Sequence, residues 1–186
     1  EWRTMDLPPG MHFRGVASSE AASMIMAGGG TPDGGLNFFS SAVDIFTVDQ
    51  DIGQAYCGPA ANNSTGRPAR LLAVGVTSVA DNFMTLAAHD APPGQVGLFL
   101  VGTLPASVPN PAGSPGTLCV GGTFGRLLRH VRTVNSAGIL AATIDAQDLP
   151  LSPSRPAMPG ETLHFQACFR DAGPLGPTVN FSDARA

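Results

Sequence analysis

Histidine and cysteine are the side chains best suited to chemistry in this chain of 186 residues. The four histidines are widely spaced: His12, His89, His130 and His164. None has the close spacing that brings two ligands to one metal or a base to a nucleophile. The three cysteines lie at positions 57, 119 and 168 and form no C-x-x-C pair. A zinc or redox motif is therefore not indicated, and one disulfide with one free thiol is the simplest count.

Three arginines surround His130 and leave two interpretations open. Arg126, Arg129 and Arg132 could line a pocket for an anion, because guanidinium groups concentrated on one side attract negative charge. A solvated basic face is the simpler alternative, since charged side chains are mostly exposed.

The other candidates predict structural roles and no catalysis. His89 precedes a Pro-Pro-Gly turn and His164 alternates with apolar neighbours, so both are expected to be exposed at a turn or a strand edge. The chain has no G-x-S-x-G motif for a serine nucleophile. The triplet Gly28-Gly29-Gly30 precedes another turn sequence and no predicted helix, so it is not a phosphate-binding loop. We therefore expect a protein that is not an enzyme.

One possible metal site lies before the middle of the chain. Asp44, Asp49 and Asp51 could hold calcium together with backbone carbonyls, because this hard cation takes several oxygen ligands. Their spacing matches no EF-hand, and solvated acids in a linker are the alternative. No other cofactor is expected.

The composition excludes several classes of partner. Charged residues make up 13% of the chain, lysine is absent and the net charge is −4. Nucleic acid and anionic membrane surfaces need a concentrated cationic face, which this chain lacks. No stretch approaches the roughly 20 apolar residues of a membrane span. No signal segment opens the chain, so we expect either a mature form or a piece of a longer protein.

Short apolar alternations separated by Gly- and Pro-rich turns predict strands along the chain. The predicted strands lie at 23–27, 42–48, 69–76, 83–88, 97–101, 123–128, 138–144, 162–169 and 178–181. This pattern favours an all-β fold with very little helix, arranged as an antiparallel β-sandwich or barrel. An acidic link at 49–53 separates a Met- and Gly-rich start from the rest, so we place two domains at 1–51 and 52–186.

The first fifty residues contain a series of closely spaced motifs. In chain order these are Trp2, Leu7-Pro8-Pro9-Gly10, Gly15-Val16-Ala17, Met24-Ile25-Met26-Ala27-Gly28-Gly29-Gly30 and Val43-Asp44-Ile45-Phe46. Together they resemble one blade of a Kelch β-propeller. The resemblance implies that the apolar runs are strands and the glycines are turns. One blade cannot bury both of its faces, so the segment would end a larger propeller or add N-terminal strands to the domain that follows.

A second set of motifs covers the rest of the chain. They are Tyr56-Cys57-Gly58-Pro59-Ala60, Asn63-Ser64-Thr65-Gly66, Ala91-Pro92-Pro93-Gly94-Gln95, Leu118-Cys119-Val120-Gly121-Gly122, Phe165-Gln166-Ala167, Phe169-Arg170-Asp171 and Asn180-Phe181-Ser182-Asp183. Their order is similar to that of a C-terminal β-sandwich domain at the ends of large secreted bacterial proteins. The resemblance implies that Cys57 and Cys119 pair and that Cys168 is a free thiol. Family members continue beyond the Asn-Phe-Ser-Asp motif, so the last strand is expected to be missing or supplied by another chain.

These observations predict a non-catalytic extracellular or cell-surface module that terminates, anchors or assembles a larger secreted protein or fibre. Its partner would be another protein or a second copy, bound through exposed strand edges. The alternative is a β-sandwich that binds carbohydrate or a small ligand at its loops. A third possibility, a fragment of a Kelch-type oxidase, needs Tyr and His ligands for copper, and Tyr56 is the only tyrosine.

Overall fold

The computed structural model describes residues 2–5, 15–19, 24–28, 43–47, 49–50, 52–173 and 176–186. The chain divides into two compact units, Glu1–Gln50 and Asp51–Ala186. The strand pairs whose register is described are antiparallel, and the helices of the described residues are two short 3₁₀ turns, Pro111–Gly113 and Leu128–His130. The predicted all-β antiparallel fold is confirmed. The predicted domain boundary at 51/52 stays a prediction, because a compact unit need not fold alone.

The first unit contains one four-stranded antiparallel sheet. Its strands are β1 (Trp2–Met5), β2 (Gly15–Ser19), β3 (Met24–Gly28) and β4 (Val43–Thr47), in the order β1-β4-β3-β2. The short strand β5 (Asp49–Gln50) follows them. Two of the predicted strands, at 23–27 and 42–48, coincide closely with β3 and β4.

The second unit contains two antiparallel sheets. Its strands are β6 (Ala55–Tyr56), β7 (Arg70–Gly75), β8 (Met84–His89), β9 (Val96–Pro109), β10 (Thr117–Arg126), β11 (Arg132–Thr133), β12 (Leu140–Ile144), β13 (His164–Gly173) and β14 (Gly176–Arg185). One sheet has the order β12-β8-β7, and the other has the order β10-β9-β13-β14-β6, with β11 also paired to β9.

The main core lies between these two sheets. Leu71, Leu86 and Leu140 of the first sheet pack with Phe99 and Phe169 of the second, and all five are almost fully buried. Strand β12 alternates buried and exposed residues, as expected for a strand with one face toward the core. Each such buried side chain contributes about 1.5–3 kcal/mol through removal of apolar surface from water.

A second, smaller core forms on the opposite face of the larger sheet. Leu100 of β9, Val120 of β10 and Phe181 of β14 are buried together there. This face becomes covered because the sheet curls, which brings its end strand β10 back toward β14. The larger sheet is therefore apolar on both faces, although only one face belongs to the sandwich.

Two of the predicted strands overlap observed strands in the curled part of the sheet but differ from them in extent. The strand predicted at 97–101 extends to Pro109, and the one predicted at 123–128 begins at Thr117 and ends at Arg126. The pairing of β9 with β10 contains two irregularities, one between Leu118 and Val120 and one between Gly121 and Phe124. Such bulges interrupt the alternation from which strands are predicted.

Strand β14, which carries the Asn-Phe-Ser-Asp motif, extends beyond that motif, and whether a further strand is missing or donated stays a prediction. Strand β14 runs through Arg185 and lies inside its sheet, paired with β13 on one side and with β6 on the other. The backbone of Ala186 continues this pairing through two hydrogen bonds with Gln54, of 2.7 and 3.0 Å. Strand β14 is therefore an inner strand, and β6 is the end strand on this side of the sheet.

We predict that Gly125→Ala lowers the free energy of unfolding by about 1–3 kcal/mol. A Cβ atom at this position in β10 would lie 1.8 Å from the carbonyl oxygen of Pro150, which belongs to the β12–β13 connection. Backbone atoms would have to separate, since no flexible side chain is available to move. Urea denaturation of the two proteins measures the difference.

Gly58→Ala is the matched control, because its Cβ would have its nearest neighbour at 3.6 Å, an ordinary contact. Its effect should remain within about 0.5 kcal/mol. Equal losses in both variants would show that the close packing at Gly125 is not the cause.

Candidate functional site

The two ends of the curled sheet meet at the Cys57–Cys119 disulfide. Cys57 directly follows β6 at one end of the strand order, and Cys119 lies in β10 at the other end. The pairing implied by the resemblance is therefore present. The hydroxyl of Tyr56 donates a hydrogen bond of 2.9 Å to the carbonyl oxygen of Cys119, so the covalent link has a polar contact beside it.

Gln166 of β13 links β10 to β14 from inside the fold, although the sequence did not predict this role. Its side chain is fully buried. Its Oε1 accepts from the amide of Cys119 at 2.9 Å, and its Nε2 donates to the carbonyls of Thr117 and Ser182 at 2.9 and 2.8 Å. The sequence signal for this role was a glutamine between Phe165 and Ala167 in an apolar run, because a buried side-chain amide needs hydrogen-bond partners.

His164 was predicted to be exposed, and this was wrong. It lies in β13, a central strand, and is only 8% exposed. Its Nδ1 is 3.1 Å from the hydroxyl oxygen of Tyr56, and the two rings meet edge to face with centroids 5.4 Å apart. Because the tyrosine proton is directed to Cys119, His164 donates from Nδ1 to the tyrosine oxygen. Burial lowers the pKa of His164 and raises the pKa of Tyr56 to about 12.

The pair of Tyr56 and His164 does not fit a copper site of the Kelch-type oxidase hypothesis. The tyrosine hydroxyl is used in a hydrogen bond to a main-chain carbonyl. No group of three or more His, Cys, Asp or Glu residues suited to a metal occurs among the described residues. The proposed calcium ligands cannot be placed in this way, because Asp51 and the side chains of Asp44 and Asp49 lie outside what the structure describes.

Cys168 is a free cysteine in β13, partly buried against the second core. Burial raises the pKa of its thiol to about 11, although the nearby charges of Arg126 and Arg170 act in the opposite direction. The protonated thiol is a poor nucleophile, so the position is suited to packing and not to covalent catalysis.

Polar residues near the chain end are also used inside the fold. Asp171 is buried and accepts from the amide of Ser64 at 3.0 Å and from Asn180 Nδ2 at 3.2 Å. The carboxylate of Asp183 accepts from the amide of Leu71 at 2.6 Å, which links β14 to the other sheet. Every buried side-chain nitrogen or oxygen of the described residues has a hydrogen-bond partner. These groups are therefore committed to holding the strands together.

An open cleft of about 370 Å³ lies between the end of β10 with the following 3₁₀ turn and the β12–β13 connection. It is lined by Arg126, Leu127, Leu128, Arg129, His130, Asp145, Asp148, Pro150 and Ser154. We call it the Arg126 cleft. The structure thus brings His130 together with two of the three arginines that the sequence grouped around it, Arg126 and Arg129.

The acidic side of the Arg126 cleft was missed from the sequence. Asp148 forms an ion pair of 2.5 Å with Arg129 and accepts from the hydroxyl of Ser154 at 2.8 Å. These contacts with Ser154 and Arg129 lower the pKa of Asp148. Arg132 does not line the cleft, and its guanidinium donates to the carbonyls of Arg129 and Val131. The cleft therefore carries both positive and negative side chains. It is neither a pocket for an anion lined by arginines alone nor a solvated basic face.

A second, more apolar cleft of about 440 Å³ opens at the loops 76–83 and 157–163. Phe83 and Met158 line it and are more than half exposed, whereas Ala73, Leu149 and Phe165 at its wall belong to the buried core. Its polar residues include Glu161, which forms a short ion pair with Arg155. That contact lowers the pKa of Glu161 to about 2.

Comparison with protein-family models, with curated proteins and with solved structures found no match. Within the described residues, no helix has the length and apolar character needed to cross a membrane.

We predict that His164 makes stability depend on pH. Its pKa is lowered in the folded state, so the unfolded chain takes up a proton below about pH 6.5 that the folded chain excludes. The free energy of unfolding should therefore decrease as the pH falls below that value. Urea unfolding at about pH 7.5 and about pH 5.5, for the wild type and for His164→Gln, measures this effect.

The comparison of the two proteins isolates the effect of His164, because all other titrating groups are common to both. The variant should be less stable at the higher pH, and its difference from the wild type should shrink as the pH falls. A difference that stays constant over this range would contradict the assignment of a neutral buried His164.

Proposed function

We propose that the chain is a non-catalytic extracellular accessory module that terminates, anchors or assembles a larger secreted protein. The observation that carries the proposal is the disulfide between Cys57 and Cys119, which connects the two ends of a curled sheet. Disulfides persist in oxidising compartments, so this link suits a protein outside the cell. The neighbouring groups that are chemically most capable, Tyr56, His164 and Gln166, are used to hold the same junction.

The resemblance to C-terminal domains of secreted bacterial proteins supports the same role. Such domains end large proteins, and the sheet formed by β1 to β4 has the four antiparallel strands of one propeller blade. A single blade needs neighbours to bury its faces. The first unit would therefore be completed by further blades or by another chain.

Assembly, where it occurs, would use the edge of β12. Strand β10 is an end strand of the larger sheet and is tied to β6 by the disulfide, whereas β12 is an end strand of the smaller sheet without such a link. Strand β12 pairs in regular register with β8 over Leu140–Ile144 and has no charge, proline or bulge. Edges without these protective features are suited to pairing with another strand. The partner we propose is β12 of a second copy, antiparallel to the first.

We predict concentration-dependent dimer formation of the purified chain, measured by light scattering. Ala141→Arg combined with Thr143→Arg should keep the protein monomeric. Both side chains are exposed, and an antiparallel pair centred on Ala142 would place the two new charges opposite each other across the interface.

Ser107→Arg combined with Thr123→Arg is the matched control, because it adds the same charge at exposed positions of the other sheet. This control should dimerise like the wild type. A monomer at every concentration of the wild type would overturn assembly through β12, and equal loss in both variants would assign the effect to net charge.

The second candidate function is a module that binds carbohydrate or a small ligand. The Arg126 cleft favours it, since a concave site with several convergent polar groups is typical of ligand pockets. An aromatic platform for sugar stacking is absent from the residues that line this cleft.

A further inference from the structure

We propose that the Arg126 cleft binds an acidic sugar, namely a uronate residue of an extracellular polysaccharide. This inference rests on the second candidate function above, ligand binding by the β-sandwich, and gives it a ligand class and a site. It is independent of assembly through β12.

The charges of the cleft select a carboxylate as one part of the ligand. Arg129 is neutralised by Asp148 at 2.5 Å. Arg126 has no hydrogen-bond or ion-pair partner among the described residues, and its side chain is exposed at the cleft. A planar guanidinium binds a carboxylate through two parallel hydrogen bonds. Arg126 therefore favours a ligand carboxylate over an uncharged polar group.

The opposite side of the cleft selects hydroxyl groups as the other part. Asp145 uses its Oδ1 to accept from Asn82 Nδ2 at 2.8 Å and from the amide of Gln147 at 2.9 Å. Its second oxygen has no partner among the described residues and can accept from a ligand hydroxyl. His130, half-buried in the lining, supplies a further ring nitrogen for such a group.

The remaining lining and the size of the cleft suit a sugar ring. Leu128 is 65% exposed and, with Pro150, offers an apolar surface to the C–H groups of the ring. The volume of about 370 Å³ lies within the usual range of ligand pockets, roughly 300–1,000 Å³. A neutral sugar would leave the charge of Arg126 without a counter-charge, and an inorganic anion would offer no hydroxyl donor to the second carboxylate oxygen of Asp145. A polyhydroxylated carboxylate satisfies both.

The test is titration of the whole chain with galacturonate trimer, followed by calorimetry and by NMR chemical shifts. Its methyl ester keeps the hydroxyl groups and removes the charge, and tricarballylate keeps three carboxylates without the sugar hydroxyls. We expect the trimer to bind most tightly and to shift the amides of 126–130 and 145–154. Arg126→Gln should weaken binding about tenfold, as expected for loss of one charge-assisted contact.

Arg170→Gln is the matched control, because Arg170 is exposed but does not line the cleft. It should bind the trimer like the wild type. Equal binding of the methyl ester, equal binding of tricarballylate, or equal weakening by Arg170→Gln would each overturn the proposal, as would shifts at the loops 76–83 and 157–163. Absence of binding would overturn it while leaving the light-scattering result, and so the accessory-module proposal, untouched.

Discussion

The fold depends on the junction where the curled sheet closes on itself. Strand β9 is shared along its length: its first part pairs with β13, and its later part pairs with β10. This arrangement carries β10 away from the sandwich, and an isolated two-stranded ribbon is only marginally stable in water. The Cys57–Cys119 disulfide, the Tyr56 hydroxyl and the Gln166 amide return β10 to the far end of the sheet. The second core, formed by Leu100, Val120 and Phe181, lies inside that closure.

Much of the fold could be predicted from the sequence, because the signals are local. Alternating runs such as that of β12 and the Pro- and Gly-rich turns between them indicate short antiparallel strands without any knowledge of partners. The failures have one physical cause. The extent of β9 and β10 depends on two successive irregularities in their pairing, and the burial of β14 depends on pairing with β6, more than a hundred residues away in sequence. Neither is encoded in a local pattern.

The residues of the candidate sites also divide into those that a local sequence pattern indicates and those that only distant contacts bring together. The basic cluster around His130 could be found because its members are neighbours in sequence, whereas Asp145 and Asp148 reach the cleft from a separate connection. His164 appeared to be an edge residue because its alternation with Leu163 and Phe165 does not show that strands lie on both sides of it. A polar residue in such a strand can be predicted to be buried only when its hydrogen-bond partner is known. For His164 that partner is Tyr56.

The most direct test of this account is urea unfolding of the wild type with and without reductant, beside a variant with Cys57→Ser and Cys119→Ser. Closure of the sheet by the disulfide predicts that reductant lowers the free energy of unfolding of the wild type by about 2–4 kcal/mol. The variant should match the reduced wild type and be insensitive to reductant. A wild type whose stability is unchanged by reductant, or a variant as stable as the oxidised protein, would contradict the central role of the junction.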